Sequence, residues 1–214
     1  MREQIITNIL DNFTDAIDVG INDKICNQCQ SFAQEVNSTT KYGDCGQNNM
    51  DKRQFDNFVG KIAEFGVYAV LSKMGKEYNF TINLPDCNIY KGKEKSWRSD
   101  FCIQSTVDEN IKLDIAVKGQ ALTQAKKYEL SGTFQIASFR KDNVFTKPDE
   151  LVFLCLVDDI SDKYRVLVLP PKQIKNIKFS DPKIPKFKGL KSCYYAKDNF
   201  DKEKLDFWLS DYNL

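Results

Sequence analysis

The stretch KLDIAVKGQ, Lys112 to Gln120, carries a lysine on the polar side of a strand pattern. Leu113, Ile115 and Val117 alternate with Lys112, Asp114, Ala116 and Lys118, the period of a half-buried strand. The segment before it, SDFCIQSTV, alternates in the same way, and Asp108, Glu109 and Asn110 join the two at hairpin length. A turn centred on Glu109 sets Asp100 opposite Lys118, Cys102 opposite Ala116 and Gln104 opposite Asp114. The same register pairs Phe101 with Val117, Ile103 with Ile115 and Val107 with Ile111, so one face is apolar and the other mixed polar. Directly opposed residues stand about 5 Å apart at Cβ. A carboxylate and an ammonium at that spacing suit acid–base or metal-assisted chemistry; they equally suit a cross-strand ion pair on a surface. Gln120 points the same way, about 7 Å beyond Lys118 at strand rise.

What chemistry is open to such a pair is narrowed by composition. The chain has 214 residues and no histidine. Ser–His and Cys–His nucleophiles and histidine-bearing zinc sites are therefore excluded. Asp, Glu, Lys, Tyr and Cys remain. Cys26, Cys29 and Cys45 form a C-x2-C set with a third thiol downstream. A structural zinc site needs four ligands, and no fourth lies nearby, so free thiols are expected. Cys87, Cys102 and Cys155 fall in or beside strand-like segments and read as small hydrophobes.

The elements that must position the pair follow from periodicity. Ile5, Ile6, Ile9, Leu10, Phe13 and Ile17 space along one helical face over residues 3–18. Residues 20–50 are polar and turn-rich. A second helix is expected over 51–74, with Phe55, Phe58, Ile62, Phe65, Ala69 and Leu71 as its stripe and Gly75 at its end. After the hairpin, residues 120–130 read as helix or loop and GTFQIASF as a strand. ELVFLCLVDD is a continuous apolar run, expected to be a central strand covered on both faces, with YRVLVL as its partner. The tail DKEKLDFWLSDYNL reads as a short helix. The expectation is one α/β domain over 1–214: a helical and loop region over 1–50, a core over 51–160, and a basic, loop-rich region with a terminal helix over 161–214. The start, MREQIITNILDNF, is amphipathic rather than signal-like, and no apolar run approaches a membrane span, so a cytoplasmic location is expected.

Net charge is near zero but uneven. Residues 1–50 carry seven acids and three bases, whereas 163–191 carry nine bases and one acid, Asp181. The loop KGKEKSWR adds Lys91, Lys93, Lys95 and Arg98 around one acid. Such polarity fits an anionic partner, nucleic acid first, or a solvated lysine-rich surface. On the first reading Lys172, Lys175, Lys178, Lys186 and Lys188 join the loop cations as DNA contacts. Trp97 in that loop is either a stacking residue or a core anchor.

GKIAEFGVYAVL (60–71), SWRSDFCI (96–103), LDIAVKGQ (113–120) and SGTFQIA (131–137), in that order, resemble the PD-(D/E)XK nuclease superfamily, most like a small type II restriction endonuclease. The resemblance implies a restriction-endonuclease-like α/β core, a mixed central sheet flanked by helices. It implies Mg²⁺- or Mn²⁺-dependent hydrolysis of double-stranded DNA, often by a homodimer on a palindromic site. Repair, resolvase and phage nucleases share the fold. Carried over residue by residue, it makes Asp100 the central metal ligand, the Val117 carbonyl a further ligand and Lys118 the residue that orients or helps deprotonate water. Glu64 supplies a helix-borne carboxylate, and Gln120 matches a glutamine of several branches. The departure is Ala116, where the family pattern places Asp or Glu. Glu64 is the expected substitute, Asp114 the other acid on that strand face; a domain that binds DNA without cutting it is the remaining alternative. Asp86, in LPD, also spells a PD, but reads as a turn residue ranked below Asp100.

Overall fold

The apolar run at 151–158 is buried at every residue, as a strand covered on both faces must be. Around it the computed structural model describes residues 1–39, 49–89, 99–137 and 141–214. In chain order the elements are α1 (Arg2–Asn12), β1 (Ile17–Gly20), α2 (Asp23–Thr39), α3 (Met50–Tyr78), β2 (Phe80–Ile82), β3 (Phe101–Ser105), β4 (Lys112–Ala121) and α4 (Leu122–Tyr128). There follow β5 (Ser131–Gln135), β6 (Leu151–Asp158), β7 (Arg165–Val168), β8 (Lys172–Gln173), β9 (Phe179–Ser180), β10 (Lys191–Tyr195), α5 (Ala196–Asn199) and α6 (Lys202–Leu209). The fold is mixed α/β: a central sheet in the order β1-β7-β6-β4-β3-β2, with β8 also on β6, and a smaller sheet in the order β5-β10-β9. Among the described residues only β4 and β6 run parallel; the other central pairs are antiparallel.

Strand parity splits the core in two. Leu113, Ile115 and Val117 of β4 and Phe153 and Cys155 of β6 face the layer of α1, α2 and α3. Ala116 and the even residues Val152, Leu154 and Leu156 face α4, α6 and the small sheet, where Phe134, Tyr194 and Trp208 lie. Each face thus buries its own apolar cluster, which is why the α3 side and the β5 side of β4 present different chemistry.

Three expectations need correction. Of the segment expected to be turn-rich, residues 23–39 are helical and 40–48 lie outside the described residues: Asn22 Oδ1 accepts the Ile25 amide at 3.0 Å, an N-cap, and Cys29 and Ala33 are buried. Ile17 leaves the first helix for β1 and is exposed. The long helix passes Gly75 and ends at Asn79, whose left-handed backbone (φ 59) aims its amide at the Gly75 carbonyl. Gly75 is needed for packing, because a Cβ there would meet the Phe80 carbonyl at 2.4 Å. Among the described residues no helix is long and apolar enough to cross a membrane.

Candidate active site

The β3–β4 hairpin keeps the expected faces but not the expected partners. Observed pairs are Phe101–Ile115, Cys102–Asp114, Ile103–Leu113 and Gln104–Lys112, two residues off the register of a three-residue turn. The cause is local. Ser105 Oγ accepts the amides of Val107 (3.2 Å) and Asp108 (3.3 Å), and Asp108 Oδ1 accepts the Asn110 amide (3.0 Å). These side-chain turns shape a longer loop that closes on a bond from the Ser105 amide to the Ile111 carbonyl at 3.1 Å. Because the shift is even, every side chain keeps its face. Extending the ladder by one residue brings Asp100 across from Ala116, not from Lys118.

Asp100 stands just before β3, and its Oδ2 accepts the Val117 amide at 2.7 Å. A carboxylate here takes the place of a strand partner. β3 stops pairing at Phe101–Ile115, so the edge of β4 from Val117 onward has no β3 neighbour. In an extended strand a residue's N–H and C=O leave on the same edge, so the Val117 carbonyl emerges on the edge that Asp100 occupies. Asp100 is exposed on one side, yet the protein packed around it drives its carboxyl above the usual value. Lys118, the Val117 amide and Lys61 pull it back, and Asp142 pushes it up. Asp142 was not foreseen; its Oδ2 accepts the Gln135 amide at 2.6 Å, which fixes its charge near the site.

Lys118 lies on the β5 face. Its stem passes Gly132, where a Cβ would come within 2.7 Å of Lys118 Cβ. Its ammonium sits 4.5 Å from the centre of the Phe134 ring, an attractive cation–π distance. Gln120 is nearly buried and its Oε1 accepts the Ser131 amide at 2.6 Å; it ties β5 to β4.

Glu64 approaches from the other face, on α3. Burial and the nearby Asp100 charge push its carboxyl up to about 8, while Lys61 pulls it down and Asp86 pushes it up. Lys61 is itself buried and donates to Glu64 Oε2 at 2.6 Å and to the Asp86 carbonyl at 2.7 Å. It also lies 4.6 Å from the centre of the Phe32 ring. Asp86 caps a turn, its Oδ1 accepting the Asn88 amide at 2.8 Å, and its charge still reaches Glu64. The structure therefore brings Asp100, Lys118, Glu64 and Asp86 into one electrostatic neighbourhood. Asp114 is elsewhere, ion-paired with Lys147, and Ala116 is buried against the second core. Neither supplies an acid to the site.

The bare edge of β4 borders a cavity of about 320 Å³, walled by Val59 and Gly60 of α3, by Val117 to Ala121, and by Ser131 to Thr133. Gly119 lets α3 come close; a Cβ there would meet Ala63 Cβ at 2.6 Å. Among the described residues no three carboxylates or thiols converge closely enough to hold a metal ion by themselves. The available oxygen donors are Asp100, Glu64 and the Val117 carbonyl.

The other expected contacts divide. Lys91, Lys93, Lys95, Arg98, Trp97 and Cys45 lie outside the described residues. Lys186 lines a second, larger cavity that adjoins the first. Lys172 is half-buried 5.1 Å from the Phe200 ring centre, with desolvation lowering its pKa. Lys175 pairs with Asp149 at 2.6 Å and Lys188 with Asp181 at 3.2 Å. The Lys178 amide donates to Asn199 Oδ1 at 2.7 Å. Cys26 and Cys29 are free thiols, and burial beside Cys87 pushes Cys29 up to about 12. No protein-family model, curated protein or solved structure matches the chain.

Proposed function

We propose that the protein is a metal-dependent endonuclease that hydrolyses phosphodiester bonds of DNA, built on a restriction-endonuclease-like core. The observation that carries this reading is Asp100, whose carboxylate bonds the Val117 amide at the bare edge of β4, beside Lys118. The mixed sheet, with β4 between β3 and the parallel β6, agrees with that core.

The Asp100 charge raises the cost of ionising Glu64, a repulsion that a divalent cation would relieve. Two carboxylates and a main-chain carbonyl suit Mg²⁺, which commonly keeps several waters and takes further oxygens from a phosphate. Asp100, the Val117 carbonyl and Glu64 would hold it. When bound, the metal supplies charge neutralisation and an activated water. The chain's own groups do the rest. Lys118 sets a positive charge beside Asp100, where it stabilises hydroxide and charge gathering on phosphate. Lys61 holds Glu64 through an ion pair at 2.6 Å.

Supercoiled plasmid with Mg²⁺ or Mn²⁺ tests this. Nicked or linear product in wild type, absent with EDTA, supports the reading; intact plasmid with both metals contradicts it. Discrete bands from phage DNA would favour a sequence-specific type II restriction enzyme, expected as a homodimer on duplex DNA. A smear would favour a repair, resolvase or phage nuclease. Ala116 specifically favours one rival, a protein that binds DNA on this fold without cutting it. Tight binding with no cleavage would select that rival.

A further inference from the structure

We propose that the larger cavity beside the site is a groove for an unpaired DNA strand, so that the substrate presents a single-stranded segment next to the bond to be cut. The proposal rests on the nuclease reading for the word substrate, and on the groove alone for the strand. The groove holds about 660 Å³ between the first turns of α3, β5, β10 and the segment 182–187. Asp56, Gln120, Gln124, Ser131 and Thr133 line both it and the cavity at the bare edge of β4. One continuous path therefore leads to Lys118.

Its charge is one-sided. Lys52, Arg53, Lys183, Lys186 and Lys191, from three separate parts of the chain, line it with a single carboxylate, Asp56. Lys52 is paired with Asp56 at 3.0 Å, and Lys183 with Glu129. The Lys186 and Lys191 ammonium groups lie over the Phe187 ring, 4.9 and 4.3 Å from its centre. Phe187 is half-buried, with Tyr128 and Ile184 also in the wall. Asn57 Nδ2, also in the wall, is buried with no hydrogen-bond partner among the described residues. Lysines laid over an aromatic ring suit a single strand: the lysines turn to its phosphates and a base takes their place on the ring. A duplex keeps its base faces stacked inside and would meet these lysines with phosphate alone, leaving Phe187 and Asn57 unused. An orphan amide donor in the wall fits a base carbonyl turned outward.

The test uses the full chain carrying Asp100→Ala, a fluorescein-labelled oligothymidylate and a blunt duplex of equal length, read by anisotropy. The oligothymidylate is expected to bind more tightly than the duplex. Phe187→Ala should weaken oligothymidylate binding about tenfold, in line with the loss of one stacked base. Lys186→Glu with Lys191→Glu should weaken it further and flatten its salt dependence. Equal or tighter duplex binding, or Phe187→Ala and the double variant both binding as the parent does with unchanged unfolding curves, would overturn the groove. The two readings fail separately. Strand binding through the groove with no cleavage by wild type removes the nuclease and keeps the groove. Duplex cleavage indifferent to the groove variants does the reverse.

Discussion

From Lys112 to Ile115, β4 is held by β3 along one edge, and from Ile115 onward by β6 along the other. From Val117 to Ala121 it keeps β6 and loses β3; the freed edge carries the Asp100 carboxylate and borders a cavity. In the first half the backbone is paired with β3, and at Ile115 with a strand on either side. In the second half backbone groups meet side chains and open space. The difference teaches where this fold can do chemistry: a strand that outruns its neighbour keeps its rigidity from the other side, while main-chain donors and acceptors stay available.

The comparison breaks most strongly in the first half. Ile115→Ala, at a fully buried position, should cost about 2–5 kcal/mol of stability, measured by denaturant unfolding. Cleavage per folded molecule should be retained. The second half is expected to answer differently. Gly119→Ala pushes a methyl toward Ala63 Cβ and the Val59 carbonyl. It should cost about 1–3 kcal/mol through displaced α3, and cleavage should fall by more than unfolding explains.

Glu64 sharpens the contrast through pH. Its folded pKa, near 8, lies above its ordinary 4.5. The folded state then holds a proton that the unfolded state has released, so this contribution is complete below about 4.5 and fades as pH rises through about 8. Stability should decline with pH across that window, and Glu64→Gln should flatten the decline. A slope unchanged in Glu64→Gln would place the titrating group elsewhere. The smallest effect belongs to the ion pair of the first half. Asp114 and Lys147 both keep part of their side chains in solvent, and Asp114→Asn should change stability by no more than about 1 kcal/mol, with cleavage unaffected.

Much of this contrast could be read in the sequence, because parity is robust where register is not. The alternation of 101–105 and 112–117 assigned every side chain its face, and the apolar run at 151–158 announced a strand buried on both sides. The partners were off by two, since nothing in the alternation says that Ser105 and Asp108 side chains will capture nearby amides and lengthen the turn. That shift moved Asp100 from opposite Lys118 to opposite Ala116, without separating its charge from Lys118. The helix at 23–39 was overlooked because its buried stripe uses Cys29 and Ala33 among Asn, Gln and Ser; Asn22 was the available signal. Asp142, the small sheet and the larger groove depend on contacts between segments far apart in the chain, and no local pattern carries them.

The most direct measurement is the Mg²⁺-dependent cleavage rate of Lys118→Ala beside wild type, with unfolding curves recorded for both. If the bare half of β4 is the active site, the rate falls at least about a hundredfold while the unfolding midpoint stays close to that of wild type. Cleavage by Lys118→Ala at the wild-type rate would contradict the account, since it would take the chemistry away from this edge of the strand.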